Sequence, residues 1–374
     1  MRFPPFASLA ATTRVFAKAI LLVIILNVIC LLTGFNPIDA ITQFNLWSLT
    51  GHGRERLVYM SDFDNGLLPL NSLLATHTIA YTPKAPDEFR VVVLGNSGPF
   101  GAGLDDTETL TGQLNNLNLQ VNEKKLAAYN LAFPSATVVT NALIADESAR
   151  YQPDWVICFV TADMFNNREA YLDEFFPIIK VNRAGLEDLA MHYGMSDWLR
   201  PRLSPRPIWY SWLGIRDQGT LAVWFGSLFY PFESPDLRRT DARIAQRTLD
   251  PEPNNFTDVP GTYPILNDTW QFLLITRQIV EEAGGKLLIV NQPTLILEGS
   301  GLSYSNLYGR AFYDAYHSTL KSYTQQHDLP YLDLWDVAPA EHFTDSELHM
   351  DAAGWGIVAN ELVMYLHDHP LTEN

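Results

Sequence analysis

Two side chains in this sequence could share acyl-transfer chemistry: a serine just past a glycine turn, and a histidine just before a C-terminal helical stretch. The hydrophobic run Arg90-Val91-Val92-Val93-Leu94 stops at Gly95-Asn96-Ser97-Gly98. About 250 residues further on comes Asp345-Ser346-Glu347-Leu348-His349, with Ala352-Ala353-Gly354 behind it. A serine hydroxyl is a weak nucleophile until an imidazole takes its proton, so Ser97 needs a base such as His349 folded back to it. A buried strand that ends in a glycine turn lifts the next side chain onto the carboxyl edge of a parallel sheet. Open α/β folds bind their ligands there.

Taken singly, Ser97 reads as a helix N-cap or turn residue and His349 as a capping or surface histidine. Their joint placement, after the first strand and before the last helix of a βα series, carries the catalytic reading. Other motifs fall away on their spacing. Pro99 stands where a Gly-x-Ser-x-Gly elbow needs its last glycine. Gly95 to Gly103 is glycine-rich, yet it lacks the Lys-Ser/Thr of a phosphate loop and the spacing of a dinucleotide fingerprint. His342, His349, His367 and His369 show no metal-ligand spacing, so neither a metal nor another cofactor is expected.

The elements that must position these groups follow from apolar periodicity. Strands are predicted at 90–94, 126–130, 155–160, 286–290 and 331–334, and helices at 138–149, 270–283, 311–327 and 352–367. Strands separated by helix-length spacers make βαβ units, hence a parallel sheet between two helical layers. Between Met164 and Tyr263 that rhythm is lost, in a stretch holding Trp198, Trp209, Trp212, Trp224 and, from Arg200 to Arg247, eight arginines. A structureless loop of that length does not suit a compact domain, so an inserted cap with its own helices is expected there. Its arginines read as a solvated helix face or as a hold on an anionic, lipid-linked substrate.

A net charge of -17 and a 47% apolar composition describe an ordered, acidic protein and exclude nucleic acid as a partner. The run from Ala19 to Leu32 is apolar but for Asn27, and extended from Val15 to Phe35 it can span a bilayer, which needs about 20 residues. Arg2, Arg14 and Lys18 precede it and no acidic residue occurs before Asp39, which keeps the N-terminus in the cytoplasm. The run is long for a cleaved signal peptide and no small-x-small site follows it, so it reads as an uncleaved single-pass anchor with the rest of the chain outside. The expected organisation is a cytoplasmic segment 1–14, a transmembrane anchor 15–35, a connecting segment 36–89 packed on the main domain, and a domain over 90–369 with the cap at about 164–263. Cys30 and Cys158, in the span and in a strand, should not meet.

On Gly95-Asn96-Ser97 and the segment ending in His349, the chain resembles the SGNH, or GDSL-type, hydrolases over roughly residues 90 to 369. The resemblance implies a three-layer α/β/α sandwich with a central parallel sheet, flavodoxin-like in kind, and a serine esterase or deacylase that needs no cofactor. It makes Ser97 the nucleophile, with Asn96 where the family has Asp, and His349 the base. The family's acid stands three residues before its histidine, where Ser346 is found. Asp345 is one place earlier and Glu347 one place later, while Asp333, Asp336 or a backbone carbonyl could hold the imidazole instead. The N–H groups of Ser97 and Ser135 would form the oxyanion hole. The asparagine that the family adds to it is replaced by Ala162, leaving Asn96, Thr161 and Asn166 as candidate substitutes. The implied substrate is an acyl ester of an extracytoplasmic, cell-surface carbohydrate or lipid-linked molecule. The alternatives are an O-acyltransferase using the same serine and histidine, and a non-catalytic, membrane-tethered carbohydrate-binding scaffold.

Overall fold

A computed structural model describes residues 9–33, 51–58, 68–165, 176–206, 268–297 and 308–369, with Pro37, Ile41, Phe44, Leu172, Tyr304 and Ser305. Its centre is a six-stranded sheet made of β1 (Glu88–Leu94), β2 (Gln120–Val121), β3 (Lys124–Asn130), β4 (Trp155–Val160), β5 (Lys286–Asn291) and β6 (Tyr331–Asp333), in the order β2-β3-β1-β4-β5-β6. All neighbours are parallel except β2, which turns back antiparallel on β3. Strand β1 pairs with β3 on one side and β4 on the other, with Val93 beside Asn130 and Leu94 beside Cys158. The chain therefore reverses its direction of winding at the carboxyl end of β1, the crevice where such sheets place a ligand.

Alternate residues of the central strands enter two separate cores, as the period of two requires. Val91, Val93, Ile157, Phe159, Leu288 and Val290 pack beneath helices α2 (Leu110–Asn116) and α7 (Ala352–Asp368). Val92, Leu94, Val156, Cys158, Leu287 and Ile289 face the other layer. That layer contains α3 (Val138–Ser148), α4 (Arg183–His192), α5 (Gln271–Glu282) and α6 (Arg310–Gln326). Both faces of the sheet are covered, so β1 and β4 are buried at every residue and read as continuous apolar runs rather than alternating ones. The three-layer α/β/α arrangement is the one expected from the strand and helix spacing.

Several elements differ from that expectation. The edge hairpin of β2 and β3 escaped prediction because a two-residue strand has no period to detect. Its turn, Asn122-Glu123, has φ of +51° and +63°, the left-handed pair a two-residue hairpin needs, with glutamate where glycine is the usual signal. Helix α2 is seven residues long and contains Gly112, which weakens its helical signature. The segment upstream of β1 holds a five-residue helix, Leu70–Leu74, too short to leave an apolar period in the sequence. Leu57, Leu68, Leu70, Leu73 and Ile79 enter the same core as α3 and α5, so this upstream segment packs as part of the sandwich.

The described residues between 164 and 263 form short helices at Pro177–Val181, Arg183–His192 and Ser196–Leu199. Trp198 packs on Phe272 and lies under the Arg202 guanidinium, which sits 4.5 Å from the ring centre. Trp209, Trp212, Trp224 and the arginines beyond Arg206 lie outside the described residues. At the N-terminus, α1 (Leu9–Thr33) contains Thr12–Cys30, a stretch of 19 residues long and apolar enough to cross a membrane. Cys30 and Cys158 are both free thiols, and burial pushes Cys158 up to about 12, which leaves it protonated and inert.

Candidate active site

Ser97 opens a one-turn helix, Ser97–Phe100, directly after β1. The Asn96 side chain caps it, its Oδ1 accepting from the Gly98 N–H at 3.0 Å. Gly101 closes the turn with φ +78°, a left-handed conformation in which a Cβ would also meet Thr109 Cγ2 at 2.5 Å. Two neighbours then hold the turn down. From β3, the Asn130 amide donates to the Pro99 carbonyl at 2.9 Å. From the upstream segment, buried Arg56 donates to the carbonyls of Gly101 and Leu104 and pairs with Asp106, at 2.8, 2.9 and 2.7 Å. Within 91–100 every residue is buried except Ser97, which keeps partial access to solvent.

His349 reaches Ser97 on a hairpin-like loop between β6 and α7. Its base is closed by the Asp351 N–H on the His342 carbonyl at 2.8 Å, a bridge between Phe343 and Met350, and the Thr344 N–H on the His349 carbonyl at 2.9 Å. The Asp351 side chain turns from this loop to cap α7, accepting from the Gly354 N–H at 2.9 Å, and its same oxygen meets His342 Nδ1 at 3.1 Å. At the tip, His349 Nε2 lies 2.7 Å from Ser97 Oγ and Nδ1 lies 2.9 Å from Asp345 Oδ1. The hydrogen bond from His349 holds the Asp345 carboxyl below the usual carboxylate range against the opposing pull of burial, so it is ionised at neutral pH. Serine, imidazole and carboxylate thus stand in one row, with Nδ1 protonated toward Asp345 and Nε2 free to accept from Ser97.

Among the described residues, Asp345 is the acid that meets the His349 ring. Asp333 accepts from Asn291 at 3.1 Å and contacts His317, and Glu347 meets the site through its backbone carbonyl, which takes the Leu295 N–H at 2.9 Å. Asp336 is exposed.

The Ser97 turn and the His349 loop touch through Gln292, which follows β5 and is 1% exposed. Its Nε2 donates to the Leu348 carbonyl at 3.3 Å. A Cβ on Gly98 would stand 2.3 Å from that nitrogen and 2.7 Å from the Leu348 oxygen, so only glycine lets the two segments close on each other. Gly98→Ala is therefore expected to part Ser97 from His349 and slow acylation by about 100-fold, the cost of a displacement near 1 Å in a reacting pair. Labelling kinetics with a serine-directed phosphonate check this, and a rate within threefold of wild type would show the contact to be slack.

At the oxyanion position, Ser135 lies at an exposed turn in which the Ala136 N–H meets the Phe133 carbonyl at 2.9 Å, and its φ is +62°. Among the described residues the N–H groups of Ser97 and Ser135 are in no hydrogen bond. Ala162 is buried and brings only a methyl group. Thr161 has one hydroxyl proton and gives it to Asp163, which leaves none for an oxyanion. Asn96 commits one amide hydrogen to Thr161 at 3.3 Å and keeps the second. Asn166 lies outside the described residues.

Arg56, Gln292 and Asn130 had drawn no attention in the sequence, because each acts through backbone carbonyls that no motif encodes. The one available signal was position, since Asn130 and Asn291-Gln292 are polar residues placed directly at the carboxyl ends of buried strands.

No protein-family model matches this chain, and no curated protein matches it significantly. It is similar to several solved structures. One is a psychrotrophic esterase from Pseudoalteromonas sp., with 10% identity, a TM-score of 0.39, and coverage of 75% of this chain and 97% of that one. Another is a lipase/acylhydrolase from Enterococcus faecalis, with 15% identity, a TM-score of 0.35, and coverage of 76% and 100%. A catalytic mutant of an acetylxylan esterase from Geobacillus stearothermophilus matches at 10% identity and a TM-score of 0.37, over 78% of this chain and 98% of that one.

Proposed function

We propose that this protein is a serine ester hydrolase of the SGNH kind, acting on an acyl ester. The observation that carries this is the row from Ser97 Oγ through His349 to Asp345, at 2.7 and 2.9 Å. Both are hydrogen-bond distances, within the reach that proton transfer requires. In the reaction Ser97 Oγ adds to the acyl carbonyl carbon while its proton passes to His349 Nε2. The carbonyl electron pair moves onto oxygen, where the N–H groups of Ser97 and Ser135 receive the charge. Collapse expels the alcohol, which leaves with the proton from His349. Water then repeats the sequence on the acyl-enzyme, and the acid is released with Ser97 restored. Asp345 keeps Nδ1 protonated and stabilises the imidazolium between the two steps.

The substrate is proposed to be extracytoplasmic, an acylated cell-surface carbohydrate or lipid-linked molecule. That finer reading is supported by α1, whose apolar stretch begins near Arg14 and Lys18 and could tether the hydrolase at a membrane.

A fluorophosphonate probe tests the function directly, because it traps an activated serine whatever the natural substrate. The expected result is covalent labelling of wild type and none of Ser97→Ala. A wild-type protein that stays unlabelled across pH 6 to 9 would return the chain to the scaffold reading.

A further inference from the structure

The side chain of Asn96 does two jobs that need opposite atoms. Its oxygen accepts from the Gly98 N–H at 3.0 Å, and its nitrogen donates to Thr161 Oγ1 at 3.3 Å. Asn96 is 3% and Thr161 2% exposed, so a mismatched contact there has no bulk solvent to relieve it. Thr161 passes its own proton to Asp163 Oδ1. Tyr308 donates to the same oxygen at 2.7 Å. Burial first, then the Asp163 charge, push the Tyr308 phenol well above its ordinary value, so it remains a donor. Every proton in this chain has one direction: Asn96 gives to Thr161, Thr161 gives to Asp163, and Tyr308 gives to Asp163 from the other side.

We infer that Asn96, Thr161, Asp163 and Tyr308 are positioning residues for Ser97, and that Asn is required at 96 because Asp163 already takes the single Thr161 proton. Resting on the assignment of Ser97 as nucleophile, this makes the asparagine of the Gly-Asn-Ser turn and the aspartate after β4 a matched pair. Asn96 caps the one-turn helix that carries Ser97, so a rotation of its amide moves the Ser97 hydroxyl and N–H together. A carboxylate at position 96 could still receive the Gly98 N–H. Its second oxygen would face Thr161, whose one proton cannot serve two carboxylates, and one acceptor would be left against a lone pair. Moving the amide to the other end removes the conflict. With Asp at 96 and Asn at 163, the position-163 amide donates to Thr161 and Tyr308, Thr161 donates to position 96, and the Tyr308 proton, released from position 163, turns to the Thr161 oxygen within its reach, so the order at Thr161 runs backwards.

The test is a four-protein cycle of wild type, Asn96→Asp, Asp163→Asn and the double variant, read by p-nitrophenyl acetate kinetics and by thermal midpoint. Asn96→Asp is expected to lower kcat about tenfold or more, with KM changed by less than about threefold, since the defect lies in orientation rather than binding. Asp163→Asn alone costs only about two- to threefold, because its amide oxygen can accept from both hydroxyls. The double variant recovers kcat to within about threefold of wild type, a coupling that independent sites do not show. The midpoint reads the same coupling without assuming any chemistry: Asn96→Asp lowers it by about 2–6 °C and the double variant restores it. Should wild type neither hydrolyse the ester nor take the phosphonate, the esterase reading falls while the melting cycle still decides the proton order. An unrescued kcat in an active protein, or additive midpoint shifts in an inactive one, overturns the inference.

Discussion

Ser97→Ala and His349→Ala are each expected to lower kcat for a small activated ester by about 10⁵-fold, with the double variant no slower than either single one. The reason for the non-additivity is geometric. Ser97 Oγ and His349 Nε2 are 2.7 Å apart, and each is useful only through the other, so removing one forfeits the whole proton transfer. KM should move little, because neither side chain is the main binding surface for the acyl group. What survives is the contribution of the two N–H donors, which do not depend on the imidazole. Asp345→Asn costs less, about 10- to 100-fold, because its side chain is 43% exposed and water can support the imidazolium in its place. Steady-state kinetics on the four proteins decide the matter. Multiplying losses in the Ser97/His349 pair would mean that the two act separately and that the row is a static contact.

Arg56→Met should destabilise the protein by about 3 kcal/mol and lower its Tm by roughly 4 °C. The side chain is 2% exposed and holds three acceptors on the strip that follows Ser97: the carbonyls of Gly101 and Leu104, and Asp106. Methionine keeps most of the volume, so the loss comes from stranded acceptors rather than a cavity. The two carbonyl contacts are buried and supply most of it, since Asp106 is 43% exposed and recovers hydration. A urea or thermal melt measures the change. A loss below about 1 kcal/mol would show that the strip holds itself by local turns, as surface loops do. Because the strip continues directly from the Ser97 helix, kcat should fall in the same variant well below its unfolding temperature.

The sandwich was legible in the residues because burial on both faces of a parallel sheet forces near-continuous apolar runs. Val91 to Leu94, Trp155 to Val160 and Leu287 to Val290 announce themselves by composition alone. Helices α5, α6 and α7 were equally plain, since each is long enough to repeat its apolar stripe several times. Short elements repeat nothing, which is why α2, β2 and the turn of helix after Ser97 were silent. Ser97 and His349, the proposed nucleophile and base, stood out for a related reason: a strand-end glycine turn and a pre-helical histidine are local patterns. The acid did not. One residue too many separates Asp345 from His349 for the spacing of the resembled family, so Asp345 stood as the expected acid with Glu347, Asp333 and Asp336 as competitors.

Tertiary structure alone chose among them, through the ladder from Asp351–His342 to Thr344–His349 that folds residues 345–348 into a tip and turns the Asp345 carboxylate onto Nδ1. The same holds for Gln292, Arg56 and Tyr308, whose partners are carbonyls and carboxylates tens to hundreds of residues away. Sequence thus determined which segments must be buried and which two could react, because burial and turn formation are local in the chain. The pairing of acid, base and supporting donors came from packing, because a hydrogen bond depends on distances that only the closed sheet and its two helical layers establish.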